Sequence, residues 1–339
     1  MDYQTTNGAQ HAISVRQLSR TFKAPIRQPG IGAAVRSVFR REYRTVHAVD
    51  ALDFQVDHGE VIGLIGPNGA GKTTTMKLLA GVLYPSAGHI SVAGYLPQKR
   101  EYPFLKQIAL LRGSQPIGGP PELTVADNLQ YRSRLYGLDS ADYKKHAIEL
   151  IEILDLNVII DRQIRALSLG ERMRAGLAIS LLHKPSVLFL DEPTIGLDAT
   201  VAMAFRRFIG TYATLARATV VLTSHHMAEV EALCPRIVLI DNGRIRFDGA
   251  FHGLVSKLTP WKQLTLHLSD AITPGAMDKL SAYQATVNER TVQLRVPRRE
   301  IAAVTARILG EVRISDLTIS DPPLELVLDR YYRGATGDE

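Results

Sequence analysis

The chain has 339 residues, of which 45% are hydrophobic and 22% charged, so it supports one large domain or two and argues against bulk disorder. Its formal net charge is +6, which fits either an anionic partner (a nucleotide, a nucleic acid or an anionic lipid surface) or an ordinary basic cytosolic protein. Cys234 is the only cysteine, which excludes an intramolecular disulfide and fits a reducing compartment.

The apolar stretches of the chain have the length of strands, as at residues 61–65, 187–190 and 237–240. None approaches the roughly 20 apolar residues that cross a bilayer. Residues 1–11 are predicted to form a flexible N-terminus, and they lack the charged and apolar regions of a signal peptide. The sequence therefore predicts a chain that is soluble by itself and reaches a membrane only through a partner.

The predicted elements begin with an alternating stretch at residues 12–24, which is typical of an edge strand. Residues 25–44 form a basic insertion with a helical amphipathic pattern, either a solvated surface helix or a surface that contacts lipid headgroups or a docking partner. Residues 51–65 predict two strands around a turn, and the second strand is apolar throughout, as in a sheet covered on both faces. A glycine-rich loop and a helix over about residues 73–83 follow.

Residues 124–183 read as mostly helical, and from residue 186 strands and helices alternate again up to residue 243. A helical subdomain inserted into a parallel α/β core is the simplest description, and it places one domain at residues 12–250.

Residues 256–339 predict a second, accessory or regulatory domain of the α+β type. Its elements follow the β-α-β-β-α-β order of a small ferredoxin-like module, with a helix after it. The predicted elements are strand 263–268, helix 274–282, hairpin 284–297, helix 299–309, strand 312–320 and helix 323–332.

The glycine-rich loop matches the pattern G-x-x-x-x-G-K-[ST] between a predicted strand and a predicted helix. Glycines let backbone N–H groups turn inward around phosphate oxygens, and the helix N-terminus favours the anion. The lysine is expected to neutralise the β- and γ-phosphates, and the first threonine to bind Mg²⁺, so the loop predicts ATP or GTP binding. The predicted nucleotide contacts are Gly66, Pro67, Asn68, Gly69, Ala70, Gly71, Lys72, Thr73 and Thr74.

A second element, residues 188–192, is an apolar strand that ends in two carboxylates. Asp191 is a candidate for holding Mg²⁺, directly or through water, and Glu192 for polarising the attacking water as a general base. Two acidic residues after a buried strand could instead only cap the following loop. The glycine-rich loop upstream favours the catalytic interpretation.

These motifs together resemble the nucleotide-binding subunit of an ATP-binding cassette (ABC) transporter, over about residues 12–250. The resemblance implies an α/β P-loop NTPase fold, with a RecA-like core and a helical subdomain. Residues 167–171 read LSLGE where the family signature is usually LSGGQ, and the resemblance implies that Ser168 and the Gly170 backbone reach the γ-phosphate held by the other subunit. The residues by themselves also describe a helix N-cap at Ser168 with Glu171 completing a capping box.

Further positions match the family residue by residue. His225 resembles the switch histidine that contacts the γ-phosphate, and Asp198 resembles the D-loop aspartate that joins the two sites of a dimer. Tyr43, 29 residues before Lys72, lies where an adenine-stacking aromatic is expected, although it could be an ordinary surface tyrosine.

Gln115 is the predicted Q-loop glutamine, which in the family senses Mg²⁺ and touches the membrane partner. It lies nine residues before Thr124. Gln98 and Gln107 remain alternatives, since residues 92–123 are longer than in the compact members of the family.

The chain has one glycine-rich loop and one signature, so a complete site is predicted to need two copies, head to tail, around Mg²⁺ and ATP. Ribosome-acting members of the family resemble two cassettes in tandem, whereas this chain has one. Chromosome-type ATPases carry long coiled coils between the glycine-rich loop and the signature, whereas only about ninety residues separate these two motifs here. The transporter reading is therefore favoured, without nucleic acid as a partner.

The LSLGERM signature, the loop and the 25–44 insertion resemble a bacterial exporter-type subfamily. The resemblance implies two separately encoded transmembrane permeases and a location at the cytoplasmic face of the inner membrane, with an importer as the alternative. Residues 322–328 also resemble the C-terminal ending of that group.

Overall fold

The structure, a computed structural model, describes residues 11–25, 43–113, 119–269 and 283–322, together with residue 328. The chain divides into two compact units, residues 1–249 and residues 250–339. Among the described residues, no helix is long and apolar enough to cross a membrane.

The first unit contains strands and helices in alternation. Its strands are β1 (Ile13–Pro25), β2 (Tyr43–Val56), β3 (Val61–Ile65), β4 (Ala87–Val92), β5 (Ile108–Arg112), β6 (Val187–Asp191), β7 (Thr219–Thr223), β8 (Arg236–Asp241) and β9 (Arg244–Ala250). Its helices are α1 (Lys72–Leu79), α2 (Tyr102–Gln107), α3 (Val125–Tyr136), α4 (Ser140–Ile153), α5 (Leu169–Leu181), α6 (Ala199–Ala216) and α7 (Met227–Leu233).

A six-stranded sheet with the order β5-β6-β7-β3-β8-β9 forms the centre of this unit. The pairs from β5 to β8 are parallel. Strands β6 and β7 are buried at every position, as expected for parallel strands covered on both faces. The carboxyl ends of β3, β6 and β7 therefore meet at one edge of the sheet, where open α/β sheets bind their ligands.

A three-stranded antiparallel sheet with the order β2-β1-β4 packs into the same core. The prediction of an edge strand at residues 12–24 is wrong, because β1 pairs with β2 on one side and with β4 on the other. An alternating polar and apolar pattern indicates that one face of a strand is buried, and it does not indicate whether the strand has one or two neighbours in the sheet. The strand ends at Pro25, which pairs with Tyr43, so most of the predicted insertion, residues 26–42, lies outside the described residues.

Helices α3, α4 and α5 occupy the predicted helical stretch, and each begins at a side-chain cap. Thr124 and Ser168 form capping boxes with Asp127 and Glu171, and Asp139 caps α4. Helix α1 ends earlier than predicted, because Gly81 adopts a left-handed conformation (φ 66°) just beyond it. The sequence interpretation did not identify β4, α2, β5 or β9.

The second unit contains α8 (Phe251–Leu258), β10 (Trp261–Leu268), β11 (Thr286–Asn288), β12 (Thr291–Pro297), α9 (Ile301–Glu311) and β13 (Ile314–Ser320). Its four strands form an antiparallel sheet with the order β11-β12-β10-β13. Alternate residues of β10 and β12 are buried with Val304 and Ile308 of the helix between β12 and β13. The predicted strands are present, whereas the predicted helices 274–282 and 323–332 lie outside the described residues, apart from residue 328.

Candidate functional site

The glycine-rich loop connects β3 to α1, and two of its glycines are required by their surroundings. A Cβ on Gly66 would lie 2.1 Å from the carbonyl oxygen of Ile240, and a Cβ on Gly71 would lie 2.2 Å from that of Ala48. Gly69 has φ 83° and has no atom within 4 Å of a built Cβ among the described residues. The loop is thus held from behind by β8 and β2 and is open around Gly69, which is the form of a phosphate cradle.

Lys72, the first residue of α1, folds back over the loop. Its Nζ donates hydrogen bonds to the carbonyl oxygens of Gly66 at 2.7 Å and Pro67 at 3.1 Å. Burial lowers the pKa of the Lys72 ammonium, while the nearby Glu192 and Asp191 carboxylates oppose that shift. The ammonium is therefore held by weak neutral acceptors, which phosphate oxygens can replace.

Asp191, at the end of β6, is buried and collects two hydroxyl donors on one oxygen. Thr73 Oγ1 donates to Asp191 Oδ1 at 3.2 Å, and Thr223 Oγ1 donates to the same oxygen at 2.8 Å. Thr223 is the register partner of Asp191 in the parallel β6–β7 pair. Hydroxyl and carboxylate oxygens are ligands that Mg²⁺ prefers, so the pair Thr73 and Asp191 fits this ion.

Glu192 follows the strand in a left-handed backbone conformation, with φ 52°. Such a conformation is costly for a residue with a side chain and is kept where the surroundings impose it. The Glu192 N–H donates to the carbonyl oxygen of Thr223 at 3.0 Å, and a Cβ on Gly113 would lie 1.9 Å from the Glu192 carbonyl oxygen. The ends of β5 and β7 therefore hold the backbone of Glu192 at its carbonyl and at its N–H.

The turn directs the Glu192 carboxylate toward His225. The backbone N–H of His225 donates to Glu192 Oε2 at 3.1 Å, and His225 Nε2 lies 3.1 Å from Glu192 Oε1. The loop that carries His225 is fixed by Ser224, whose hydroxyl donates to the buried Glu229 at 2.6 Å. The two residues predicted as base and switch histidine are thus in direct contact.

The signature segment begins helix α5 with a capping box between Ser168 and Glu171. Ser168 Oγ accepts from the Glu171 N–H at 3.3 Å, and Glu171 Oε2 accepts from the Ser168 N–H at 2.8 Å. Arg162 donates to the other Glu171 oxygen at 2.7 Å. The backbone bond from Ser168, with further help from Arg162, lowers the pKa of the Glu171 carboxyl.

The predicted D-loop lies against this helix start. A Cβ on Gly196 would lie 3.0 Å from a methyl carbon of Leu169, and a Cβ on Gly170 would lie 3.5 Å from the methyl carbons of Val201. Asp198 caps helix α6 by accepting from the Val201 N–H at 2.9 Å. Within the described residues, the contacts of the site therefore form two groups: the loop with Asp191, Glu192 and His225, and the signature with residues 196–201.

Gln115 lies outside the described residues, and its role stays a prediction. The strand before it, β5, ends with Arg112 paired to Asp191, and the Gly113 N–H donates to the Asp191 carbonyl oxygen at 3.1 Å. The chain thus leaves β5 at the edge that carries the site.

Neither alternative to Gln115 lies at the carboxyl end of a strand of the six-stranded sheet. Gln107 precedes β5 and accepts from Ser186, which precedes β6, so it lies at the amino ends of the strands. Gln98 belongs to a 3₁₀ turn whose Pro97 carbonyl packs on Gly81, beyond the C-terminal end of α1.

Tyr43 opens β2 and is about half exposed, at 52%. Five residues further along this strand, the Ala48 carbonyl lies behind Gly71 of the loop. Stacking of Tyr43 on adenine stays a prediction.

The sequence interpretation missed two residues that act on the candidate site. Thr223 binds Asp191, and Arg162 binds Glu171. For Thr223 a signal existed, since it ends an apolar strand immediately before Ser224 and His225, and the carboxyl ends of neighbouring parallel strands lie side by side. For Arg162, nine residues before Glu171, no motif gave a signal.

Comparisons with known proteins agree with this geometry. The family model described as ABC transporter matches residues 49–195, and the model described as EvrA-like ABC transporter, C-terminal domain, matches residues 260–320. The daunorubicin resistance ATP-binding protein DrrA3 of Streptomyces coeruleorubidus is 34% identical over 88% of this chain and 94% of its own length. The Nod factor export ATP-binding protein I of Ralstonia nicotianae is 37% identical over 67% of this chain and 71% of its own length.

A solved structure described as the ATP-binding subunit of an ABC transporter superposes with a TM-score of 0.61 at 26% identity, over 73% of this chain and 92% of that one. The fold and the site define a P-loop ATPase of the cassette type. The chain belongs to the ATP-binding subunits of ABC transporters, with exporter-type relatives. The predicted family, the α/β cassette fold and the ATPase activity are thereby confirmed.

Proposed function

We propose that this chain is the ATP-hydrolysing subunit of an exporter, and that two copies bind two ATP molecules between them, head to tail. The head-to-tail arrangement is supported by the separation of the site residues into two groups. The loop with Asp191, Glu192 and His225 forms one group, and the signature around Ser168 forms the other. A second chain can bring its signature to the open side of the loop, so each site is completed in trans.

In each site the loop N–H groups and Lys72 bind the phosphates, and Tyr43 stacks on the adenine. Lys72 exchanges its two loop carbonyl partners for phosphate oxygens. Thr73, Asp191 and Gln115 hold Mg²⁺, which when bound neutralises charge on the phosphates. Ser168 and the Gly170 N–H of the partner chain approach the γ-phosphate, and Asp198 links the two sites.

Glu192 polarises the attacking water. His225 contacts both oxygens of the Glu192 carboxylate, one through its backbone N–H and one through its imidazole. A γ-phosphate offers the His225 imidazole a stronger acceptor, so ATP binding draws it away and leaves Glu192 free to accept a proton from water. Catalysis thus depends on a switch in the partner of His225.

The transport role rests on the relatives, whose names describe Nod factor export and daunorubicin resistance. Two separately encoded transmembrane permeases would hold the dimer at the cytoplasmic face of the inner membrane, and closure around ATP would drive them. The second unit, residues 250–339, would serve as an accessory domain that regulates the ATPase or contributes to the dimer. Nucleic acid has no part in this proposal.

The test is the substitution Glu192→Gln. We expect ATP-stabilised dimers by size-exclusion chromatography with light scattering, and phosphate release at least about a hundredfold below wild type, because the amide cannot accept the proton. Glu231→Gln is the matched control, since Glu231 is an exposed carboxylate on α7. Turnover of the Glu192→Gln variant within a few-fold of wild type would show that Glu192 is not the base.

A further inference from the structure

We propose that Arg162 is a positioning residue for ATP binding in trans: its guanidinium neutralises Glu171, so that the signature helix can accept a phosphate. The proposal rests on the function proposed above. Glu171 stands where the family signature usually has an uncharged glutamine, which places a carboxylate in the first turn of α5.

The geometry shows a carboxylate with both oxygens engaged. Glu171 Oε2 accepts from the Ser168 N–H at 2.8 Å, and Oε1 accepts from Arg162 at 2.7 Å. A second nitrogen of Arg162 donates to the Ala166 carbonyl oxygen at 2.8 Å, just before the signature. The two bonds leave from different nitrogens of the planar guanidinium, so Arg162 spans the Glu171 carboxylate and the Ala166 carbonyl.

The backbone of Arg162 is also anchored. Its carbonyl oxygen accepts from the Val125 N–H at the start of α3 at 3.1 Å, and its N–H donates to the Ile159 carbonyl oxygen at 3.0 Å. Arg162 therefore connects the start of α3, which follows the predicted Q-loop in the chain, with the start of the signature helix.

Charge explains why this contact matters for ATP. A helix N-terminus attracts anions, but a carboxylate already in the first turn repels a polyphosphate that approaches it. The Arg162 side chain is 43% exposed, so the ion pair contributes little to folding stability. When a partner chain closes over the site and water leaves, the uncompensated charge of Glu171 would weigh more heavily. Arg162 therefore acts on the closed, ATP-bound dimer rather than on the fold.

The experiment is a double-mutant cycle of Arg162→Gln and Glu171→Gln in the full chain that also carries Glu192→Gln. The measurement is the ATP concentration that gives half-maximal dimer, by light scattering. We expect Arg162→Gln to raise it about tenfold, and the double variant to lie within about twofold of Glu171→Gln alone, since no charge remains to neutralise. Arg165→Gln is the matched control: Arg165 is an exposed neighbour whose side chain binds Gln163 instead of Glu171.

Two outcomes overturn the proposal. If Arg162→Gln dimerises at the same ATP concentration as the parent Glu192→Gln chain, Arg162 has no role in trans binding. If the double variant is as weak as Arg162→Gln, the residue acts through the local fold and not through the charge of Glu171. Thermal melting of all variants identifies a folding defect. If Arg162→Gln alone is unstable, the double variant is still compared with Glu171→Gln. Failure of the parent Glu192→Gln chain to dimerise would count against the proposed function instead.

Discussion

Asp191 and Glu192 are adjacent in the chain, yet different contacts give them different chemistry. Asp191 ends β6 in register with Thr223 and faces Thr73, whereas Glu192 turns into a left-handed conformation toward His225. The sequence predicted both carboxylates because an apolar strand before two acidic residues and a glycine-rich loop upstream form a recognisable order. It could not predict the left-handed turn, at which Thr223 and Gly113 from neighbouring strand ends contact the Glu192 backbone.

Thr223 supplies a prediction at this scale. Thr223→Val removes the hydroxyl that donates to Asp191 at 2.8 Å and leaves that oxygen to Thr73 alone. We expect the Mg²⁺ concentration for half-maximal ATPase to rise by roughly tenfold, since residues that orient a metal ligand typically act on this scale. ATPase titrations with Mg²⁺ at saturating ATP provide the measurement.

Thr223→Ser is the control for this substitution, because it keeps the hydroxyl and removes only a methyl group. It should titrate close to wild type. An unchanged Mg²⁺ requirement in Thr223→Val would mean that the Thr223 hydroxyl does not orient Asp191 for the ion.

At the scale of elements, the sequence predicted the strands that lead into a motif and the helices that begin at a cap. Strands β3, β6 and β7 are apolar runs that end at the glycine-rich loop, the two carboxylates and His225, and α3, α4 and α5 start at recognisable caps. Residues 84–123 were not assigned to elements, because β4, α2 and β5 are no longer than these strands and no such motif follows them, so their order depends on tertiary pairing. The position of β1 in the middle of its sheet depends on such pairing too.

His183 shows how several of these elements join. Its Nε2 lies 3.2 Å from the Ile108 carbonyl oxygen at the start of β5, and its ring stacks on Tyr136 at the end of α3, with centroids 4.0 Å apart. Nδ1 is buried and has no hydrogen-bond partner among the described residues. Burial lowers the pKa of His183 from 6.5 to about 4, and the cations Arg132 and Lys106 add to the effect.

The unfolded chain therefore binds a proton at His183 at a pH where the folded chain does not. This contribution to stability is complete above pH 6.5 and is lost as the pH falls toward 4. We expect the loss to reach about 3 kcal/mol, because each pH unit between the two pKa values is worth about 1.4 kcal/mol. Urea unfolding at several pH values measures it.

His183→Gln removes the titrating group and keeps a side-chain amide that can reach the Ile108 carbonyl. The variant should lose less stability than wild type between pH 6.5 and 4. His89→Gln removes an exposed histidine and should keep the wild-type dependence. Equal slopes for wild type and His183→Gln would contradict the assignment of this pH dependence to His183.

At the scale of the whole molecule, the chain consists of a cassette unit and a smaller unit with an antiparallel sheet. The order of motifs was sufficient to predict the cassette, whereas the need for a second copy stays a prediction. The alternating pattern after residue 256 was sufficient to predict the second sheet, whose core alternates along β10 and β12. Neither pattern carries information about cargo, since a cassette contacts the nucleotide and its partner proteins.

The central claim is that each ATP site takes its loop from one chain and its signature from the other. Mixing two inactive variants tests this directly. Lys72→Ala disables the loop, and Gly170→Asp places a carboxylate at the signature, where a Cβ has ordinary contacts, 3.5 Å from Val201. In a mixed dimer one site receives the intact loop of one variant and the intact signature of the other, while the second site is doubly disabled.

The measurement is phosphate release from each variant alone and from their equimolar mixture. Neither variant alone should hydrolyse ATP above background, since both sites of each homodimer are damaged. The account predicts that the mixture recovers up to about a quarter of wild-type activity, because half of the randomly formed dimers carry one intact site of two. A mixture as inactive as its components, with mixed dimers present by pull-down of differently tagged chains, would contradict the shared sites.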